Sequence, residues 1–571
     1  RALAQRPSGI ETCRPSVRAP PRSLGPRRRP GHPAGRAWHE RTSMKSKETF
    51  SPKEPDEHKP ELQDVIESIG MGPAQIFWAL LGGGIWLADG AELLLVSSVT
   101  RSLQKEWQLS SFMKGAIVSA VYVGIFLGNA SSGGCSQRFG RREMIVLSYS
   151  GIFLCGVLSS ASKAAVALMG IRFFGGFFIG IGQPAWLSIS AEITPAYWRI
   201  AMAAASQSLF VVGEMYISFL LMMDDLNMQA RGSGRFLGMD VACRQSLHWR
   251  LLLRVGALPS LVMAMLSMAY LNESPVFLAL KGRTREACRV VESMGRQNQS
   301  TPLSLDFKKP VSHRTDGSLL QQMSRQMAVV FSPRFLALRP ASGFWRVSGL
   351  AGNGTESWSQ GVSLVIMSVC FTLNMVYFGC LFAFPQVLPT LMHGQAASEL
   401  LVGALWELPG LAMGLLLGIS ATRRTALKFY LTGLTCAILC FVVGAHGHPE
   451  HERLMKALLF IGYYGIKCLP NIGFIVAYQM SAEIYPTEAR SMGAGLALAC
   501  GRLAAMSSPL IFECCLELTG TYLAFFLMMA ALCVSNLYMI DFLPEPTRLE
   551  HDDVQDLQDA PLKSSDRVQV V

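Results

Sequence analysis

The sequence predicts an all-α polytopic membrane protein of twelve transmembrane helices, arranged as two pseudo-symmetric six-helix bundles. Three observations lead to this prediction. Half of the 571 residues are hydrophobic and only 16% are charged, against about 25% charged residues in soluble proteins. The apolar residues gather in segments of roughly 20, the length that a helix needs to cross a bilayer. One polar stretch occurs twice, once in each half of the chain.

The repeated stretch reads SAEITPAYWR at residues 190–199 and SAEIYPTEAR at residues 481–490. Ser, Ala, Glu, Ile, Pro and Arg fall at the same offsets in both copies. Each copy follows a long apolar segment and precedes a run of small residues. Copies so far apart do not fit a solenoid period, and they indicate two homologous membrane halves, each with a polar hinge between hydrophobic helices.

Twelve apolar segments are predicted to span the membrane: 76–98, 113–134, 143–162, 165–187, 200–223, 250–271, 362–385, 399–420, 425–445, 455–478, 491–512 and 521–543. They divide the chain into a disordered basic N-terminal tail with a short amphipathic helix (1–74), a first bundle (75–275), a central loop (276–360), a second bundle (361–545) and a C-terminal tail (546–571). Residues 1–43 are interpreted as leader sequence or disordered tail, with a transit peptide as the alternative. Two segments, 224–246 and 337–358, have no hydrophobic period, and we expect them to be poorly ordered inserts.

Basic residues set the expected orientation. They cluster in the loops after spans 2, 4 and 8 and in the central loop, and with alternating spans these loops face one side. The excess of Lys and Arg in cytoplasmic loops places that side, with both termini, in the cytoplasm. The net charge of +11 is therefore explained by topology, and no nucleic-acid partner is expected. The membrane is predicted to be the plasma membrane or that of an intracellular vesicle.

No motif indicates an enzyme. The 14 cysteines show no metal-ligand spacing, and the chain has no nucleophile–base constellation and no glycine-rich phosphate loop. We expect no catalytic residue, no metal and no cofactor.

The loop between spans 2 and 3 carries the most specific motif. Residues 133–142 read GGCSQRFGRR, which resembles the Gly-x-x-x-Asp-Arg-x-Gly-Arg-Arg pattern of the major facilitator superfamily, except that Gln137 replaces the acid. The resemblance implies the two-bundle fold of that superfamily and a cytoplasmic gate, which the missing acid weakens. The predicted gate residues are Gly133, Arg138, Gly140, Arg141, Arg142, Glu192, Arg199, Glu483 and Arg490.

Shorter motifs point to a branch of that superfamily. NESPVFL at 272–278 and LPEPT at 543–547 resemble the ends of helices 6 and 12 in sugar porters. DVIESIG at 64–70, ADGAE at 88–92 and ELPG at 407–410 resemble the synaptic vesicle 2-related (SVOP-type) proteins.

Ionisable residues inside spans are functional candidates because an unpaired charge there is costly. Asp89 and Glu92 lie on one face of span 1, and Arg172 lies in span 4. Counting 1.5 Å per residue from the span ends puts Asp89 and Arg172 at similar depths, so we expect them to face each other. Proton coupling and a permanent salt bridge remain alternatives. Sugar-porter relatives carry an acid and an arginine at similar places, and the resemblance implies proton coupling.

The other interior charges are Glu214 in span 5, Glu407 in span 8, Lys467 in span 10 and Arg502 in span 11. The two cations fit either internal pairing, for example with Glu407, or recognition of an anionic substrate. Glu214, Asn374, Tyr377 and Trp406 are expected to line the central site.

These features together predict a monomeric secondary active transporter that works by alternating access in the lipid bilayer. Its expected substrate is a small polar organic solute, an organic anion or a sugar-like molecule, with protons as the second expected ligand. The alternative is a receptor or vesicle scaffold that keeps the transporter fold without transporting.

Overall fold

The computed structural model describes residues 60–224, 235–236, 239–240, 248–300, 307, 362–392, 395–446, 452–484 and 490–543. The side chains of Ile200, Arg235, Phe236, Met239, Asp240, Ile419, Ala482, Glu483, Arg490 and Ser491 lie outside this description. So do the whole predicted insert at 337–358 and most of the one at 224–246, whose expected disorder stays a prediction.

The described residues of the first half form ten helices: α1 Leu62–Ile69, α2 Pro73–Trp107, α3 Ser111–Phe139, α4 Arg141–Ser160, α5 Ala165–Ile193, α6 Arg199–Asp224, α7 Trp249–Gly256, α8 Leu258–Tyr270, α9 Pro275–Leu280 and α10 Thr284–Gln297. A 3₁₀ turn, Ala196–Trp198, precedes α6. Strands β1 (Arg235–Phe236) and β2 (Met239–Asp240) pair antiparallel within the first predicted insert. The predicted amphipathic helix before the first span is α1, whose buried face is formed by Leu62, Val65, Ile66 and Ile69.

The second half forms seven helices in the described residues: α11 Val362–Leu391, α12 Ala396–Ser420, α13 Arg423–His446, α14 Glu452–Cys468, α15 Pro470–Glu483, α16 Arg490–Thr519 and α17 Leu523–Met539. A 3₁₀ turn, Ile540–Phe542, ends this half. Pro470 lies at the start of α15, and a proline lacks the N–H that would continue the hydrogen bonds of the preceding helix.

The prediction of twelve spans is confirmed. Twelve stretches in the described part of the chain are long and apolar enough to cross a membrane, and each contains most or all of one predicted segment. Helices α7 and α8 together form the sixth, and α14 and α15 together form the tenth.

Small residues let the helices of the first half approach closely. A Cβ atom placed on Gly176 of α5 would lie 2.0 Å from the carbonyl oxygen of Val121 on α3, and one on Gly124 of α3 would lie 2.0 Å from that of Phe173. Only glycine tolerates this backbone contact, which is typical of helix pairs packed in membranes. The contact locks α3 against α5 and so fixes the position of the polar residues on α5.

One end of the bundle is defined by contacts among its turns. Gln75 at the start of α2 donates to the carbonyl of Ile193 at the end of α5 (Nε2–O 3.5 Å). Glu273, just before α9, accepts the backbone N–H of Arg141 at the start of α4 (3.2 Å). We call this end, which carries the α3–α4 turn, the basic end, and the opposite one the far end.

At the far end, polar contacts join the two halves. The Lys114 ammonium on α3 and the Glu513 carboxylate on α16 form a buried ion pair (2.8 Å). Gln386 on α11 donates to the carbonyl of Ser97 and to the hydroxyl of Thr100 on α2, both at 2.9 Å. Because these contacts fix the far ends of α11 and α16, both helices begin at the basic end. The far ends of the halves are therefore held together in this structure.

Candidate functional site

The predicted gate residues of the first half lie at the basic end. Arg141 and Glu192 form an ion pair (Nη2–Oε1 2.6 Å), and Glu192 also accepts a hydrogen bond from the Ser274 hydroxyl. Arg142 donates to the carbonyls of Leu271 and Met268, both at 2.6 Å. These contacts fasten the α3–α4 turn to the end of α5 and to the segment before α9, all within the first half.

Glycine is required at one position of this turn. Gly140 has a φ of +110°, and a Cβ atom there would lie 2.3 Å from the Glu273 carboxylate. That carboxylate also accepts the backbone N–H of Arg142 (3.2 Å). Glu273 was not among the predicted gate residues, although the Glu-Ser-Pro motif that contains it was the available signal.

The contacts described for two other predicted gate residues are with residues close to them in the sequence. Arg138 stacks near the ring of Phe139 (5.5 Å), and Arg199 donates to the carbonyl of Thr194 (3.4 Å). Among the described residues, a Cβ atom on Gly133 would have no neighbour within 4 Å apart from the adjacent backbone of its own helix. The side chains of Glu483 and Arg490 lie outside the described residues, so the second copy of the hinge stays a prediction.

The expected pairing of Asp89 with Arg172 is wrong. Arg172 on α5 forms its ion pair with Glu92 on α2, and both side chains are buried. Glu92 lies one turn beyond Asp89 on α2, a rise of about 4.5 Å, and estimating depth from sequence does not resolve that difference. Arg172 and Glu92 therefore form a balanced pair inside the first half.

Asp89 instead belongs to a bridge between the halves. The Gln183 amide nitrogen on α5 donates to Asp89 Oδ2 (2.8 Å), and Arg502 on α16 donates to Gln183 Oε1 (3.2 Å). Asp89 is fully buried. Asp89 Oδ1 and Arg502 Nη1 are buried atoms with no hydrogen-bond partner in the part of the chain that the structure describes. The sequence analysis did not single out Gln183, although a polar residue within an apolar span could have indicated it.

Apart from Asp89, the groups described next to Arg502 are uncharged. Its guanidinium carbon lies 5.7 Å from the centre of the Phe378 ring. The Tyr478 hydroxyl lies within hydrogen-bond distance of the Asn374 side chain (3.1 Å to Nδ2), and a Cβ atom on Gly501 would lie 2.4 Å from that amide nitrogen. Asn374 was expected to line the site, and it lies beside the helix that carries Arg502.

Glu214, Tyr377, Glu407 and Lys467 come together in what we call the carboxylate cluster. Lys467 on α14 pairs with Glu214 on α6 (Nζ–Oε2 2.7 Å) and with Glu407 on α12. The Tyr377 hydroxyl on α11 lies 2.9 Å from Glu407 Oε2 and 3.2 Å from Glu214 Oε1. Of the two alternatives for Lys467, internal pairing is the one observed.

Asn471 completes this cluster and was not predicted. Its amide nitrogen donates to the Lys467 carbonyl (3.1 Å) and lies 3.5 Å from Glu407 Oε2. The asparagine follows Pro470 at the start of α15, so the break between α14 and α15 places a polar side chain at the cluster. With Asn471 included, four helices of the second half (α11, α12, α14 and α15) and one of the first half, α6, contribute side chains to the cluster.

Comparison with known proteins matches this architecture. The family model described as sugar (and other) transporter matches residues 43–337 and 400–557. The chain is 25% identical over 495 residues to the synaptic vesicle 2-related protein of Xenopus laevis, covering 85% of this chain and 81% of the relative. It is 25% identical over 481 residues to the organic cation/carnitine transporter 7 of Arabidopsis thaliana, covering 79% and 87%.

Among solved structures, the inward-open xylose transporter XylE of E. coli superposes with a TM-score of 0.59 at 16% identity, covering 85% of this chain and 99% of XylE. This similarity shows the fold, and the family match covers most of the chain. The chain belongs to the sugar (and other) transporter family, in the sugar-porter-like branch of the major facilitator superfamily near the synaptic vesicle 2-related proteins, and it is an integral, multi-pass transporter of small-molecule solutes.

Proposed function

We propose that the protein is a proton-coupled secondary transporter of a small polar organic solute, and that it works by alternating access. The observation that supports this most is the Asp89–Gln183–Arg502 bridge. Asp89 and Gln183 belong to the first half and Arg502 to the second, so a rocking motion of the halves changes the distance between the carboxyl group and the guanidinium.

Asp89 is the proposed proton site. Among the described residues, its one hydrogen-bond donor is a neutral amide, and its second oxygen is buried with no partner. A nearby guanidinium favours the ionised carboxylate, and burial without a charge partner favours the neutral acid. Asp89 therefore loses its proton as Arg502 approaches and regains it as Arg502 withdraws.

Arg502 is the proposed contact for the solute. Arg172 and Lys467 are ion-paired, whereas the contacts described for Arg502 are an amide oxygen and an aromatic ring. Its buried Nη1, which has no hydrogen-bond partner among the described residues, offers a donor to a carboxylate or a hydroxyl group. The substrate class is therefore an organic anion or a sugar-like polyol. XylE, described as a proton:xylose symporter, provides a precedent on the same fold.

The basic end, including both termini, is proposed to face the cytoplasm, since Lys and Arg concentrate there. Arg141, Glu192 and Glu273 brace this end of the first half and serve as its part of the gate. The relation to synaptic vesicle 2-related proteins supports a vesicle membrane. Protease accessibility of tags at the two termini in sealed vesicles tests the orientation.

The decisive experiment is uptake of a mixed panel of organic anions and sugars into proteoliposomes, with and without a pH gradient. We expect Asp89→Asn, which mimics the protonated acid, to keep exchange of solute and to lose accumulation driven by the gradient. Glu452→Gln, at an exposed carboxyl group at the far end of α14, is the matched control and should accumulate solute like the wild type.

Two outcomes contradict the proposal. If Asp89→Asn still concentrates solute, Asp89 is a structural residue and coupling lies elsewhere. If the purified wild type binds solute from the panel but exchanges none, the protein is a receptor that keeps the transporter fold.

A further inference from the structure

The carboxylate cluster contains two acids and one base. Lys467 pairs with both Glu214 and Glu407, and the exposed fractions of Glu214, Glu407 and Lys467 are 1%, 0% and 5%. With both carboxyl groups ionised, the cluster carries one uncompensated negative charge within the membrane-spanning bundle. Such a charge costs several kcal/mol, so the cluster favours one additional positive charge.

The hydrogen bonds of Tyr377 also indicate one additional positive charge, in the form of a proton. Its hydroxyl oxygen lies 2.9 Å from Glu407 Oε2 and 3.2 Å from Glu214 Oε1. A hydroxyl group has one hydrogen and can donate to only one of two carboxylates. The second contact becomes a hydrogen bond only when the other carboxyl group is protonated and donates to the phenol oxygen. One proton therefore both cancels the net charge and completes the hydrogen bonds.

We propose that Glu214 and Glu407 share one bound proton through Tyr377, so that the carboxylate cluster is a second proton-binding site, separate from the one at Asp89. Its use in transport rests on the proposed function, whereas the presence of the proton does not.

Neighbouring titratable groups do not change this count in the described part of the chain. Those within electrostatic range of the cluster are the phenols of Tyr122 and Tyr463 and the thiols of Cys380 and Cys468. Phenols and thiols are neutral at physiological pH unless activated, and no cation other than Lys467 is found to pair with either glutamate among the described residues. Asn471, which contacts Glu407, is uncharged.

The site is assembled from both halves. Glu214 comes from α6, which packs against α12 through Val211, Ala404 and Leu411, and the other members belong to the second half. If the halves separate here, Lys467 and Glu407 remain as a neutral pair that needs no proton. The proton is then held only while Glu214 contacts the second half, which makes its binding and release a step of the transport cycle.

Infrared spectroscopy of the purified protein detects such a proton without a transport assay, because a protonated carboxyl group has its own carbonyl band that shifts in ²H₂O. We expect Glu214→Gln and Glu407→Gln each to remove one such band. The double variant should remove no more than either single one, since the two acids hold one proton between them.

Two controls separate this site from others. Asp89→Asn should leave the band of the cluster in place, so failure of coupling at Asp89 and failure of this inference give different results. Glu399→Gln changes another acid on α12, whose carboxylate accepts from the Tyr464 hydroxyl (2.7 Å), and should not remove the band of the cluster.

The inference is overturned if both single variants keep every band of the wild type, or if the double variant loses two. It is also overturned if the band appears only when sodium is replaced by choline, because a sodium ion then supplies the charge. If the Gln variants fail to fold, Glu407→Asp replaces them, because it keeps the acid. A carbonyl band displaced from its wild-type position then supports the assignment, and an unmoved band contradicts it.

Discussion

Two buried groups of charges in this protein differ in balance and in location. Glu92 and Arg172 form a one-to-one pair between α2 and α5, within the first half. The carboxylate cluster sets two acids against Lys467 and draws Glu214 from one half and Glu407 from the other. A balanced pair inside one half has no reason to bind or release a proton when the halves move. The unbalanced cluster between the halves can gain or lose a proton. Charge count and location together therefore distinguish a structural ion pair from a functional proton site.

Neutralising the acid of the balanced pair should have the largest effect. Glu92→Gln leaves the Arg172 guanidinium buried without a carboxylate, and arginine does not lose its proton in proteins. Breaking a buried pair in this way costs about 3–5 kcal/mol. Unfolding in mixed detergent micelles measures the loss.

The double variant Glu92→Gln/Arg172→Met is the control. It removes both charges, and replacing a whole buried pair is far less costly than breaking it, so most of the stability should return. If Glu92→Gln alone is as stable as the wild type, the pair is not a structural element and the contrast with the carboxylate cluster fails.

The packing of the first half provides the next test, since the balanced pair depends on α5 being held in place. Gly176→Ala on α5 puts a methyl group 2.0 Å from the Val121 carbonyl oxygen. Backbone must move to relieve the clash, and overpacking of this kind costs about 1–3 kcal/mol. The same unfolding measurement applies.

Gly170→Ala is matched to this change because it lies on the same helix, and among the described residues the new methyl group has no neighbour within 4 Å apart from the adjacent backbone of its own helix. It should be neutral or stabilising by up to about 1 kcal/mol, the difference in helix propensity between alanine and glycine. Equal losses at Gly170 and Gly176 would mean that helix propensity, rather than the α3–α5 contact, sets the stability.

Sequence alone predicted the twelve spans and most of the charged residues of the interior, because hydrophobic length and isolated charges are local features. It missed the buried Lys114–Glu513 pair at the far end. Of the pairings observed among the interior charges, it offered only Glu407 for Lys467, and that as one of two alternatives. Depth along a helix cannot distinguish Asp89 from Glu92, which differ by one turn. The carboxylate cluster requires the placement of α6 against α12 and α14, and residue spacing within one half contains no such information. Gln183 and Asn471 were missed because a neutral polar residue in a span is a weaker signal than a charge.

The smallest effect on stability is expected for Glu407, the acid of the carboxylate cluster that we compare with Glu92 of the balanced pair. Glu407→Gln should change the free energy of unfolding by less than about 1 kcal/mol, because the remaining Glu214 and Lys467 form a balanced pair. The new amide oxygen can accept from Lys467, and its nitrogen can donate to Tyr377, whose hydroxyl then donates to Glu214. These are the hydrogen bonds that a protonated Glu407 would make.

The comparison between Glu92→Gln and Glu407→Gln therefore uses one chemical change at two buried sites, measured in the same unfolding assay. A much larger loss of unfolding free energy for Glu92→Gln than for Glu407→Gln supports a cluster that already holds a proton at neutral pH. Equal losses of several kcal/mol would contradict it, since they would mean that Lys467 needs both carboxylates in their ionised form. Raising the pH sharpens the test, because the wild-type cluster then loses its proton and its stability, whereas Glu407→Gln has no such proton to lose.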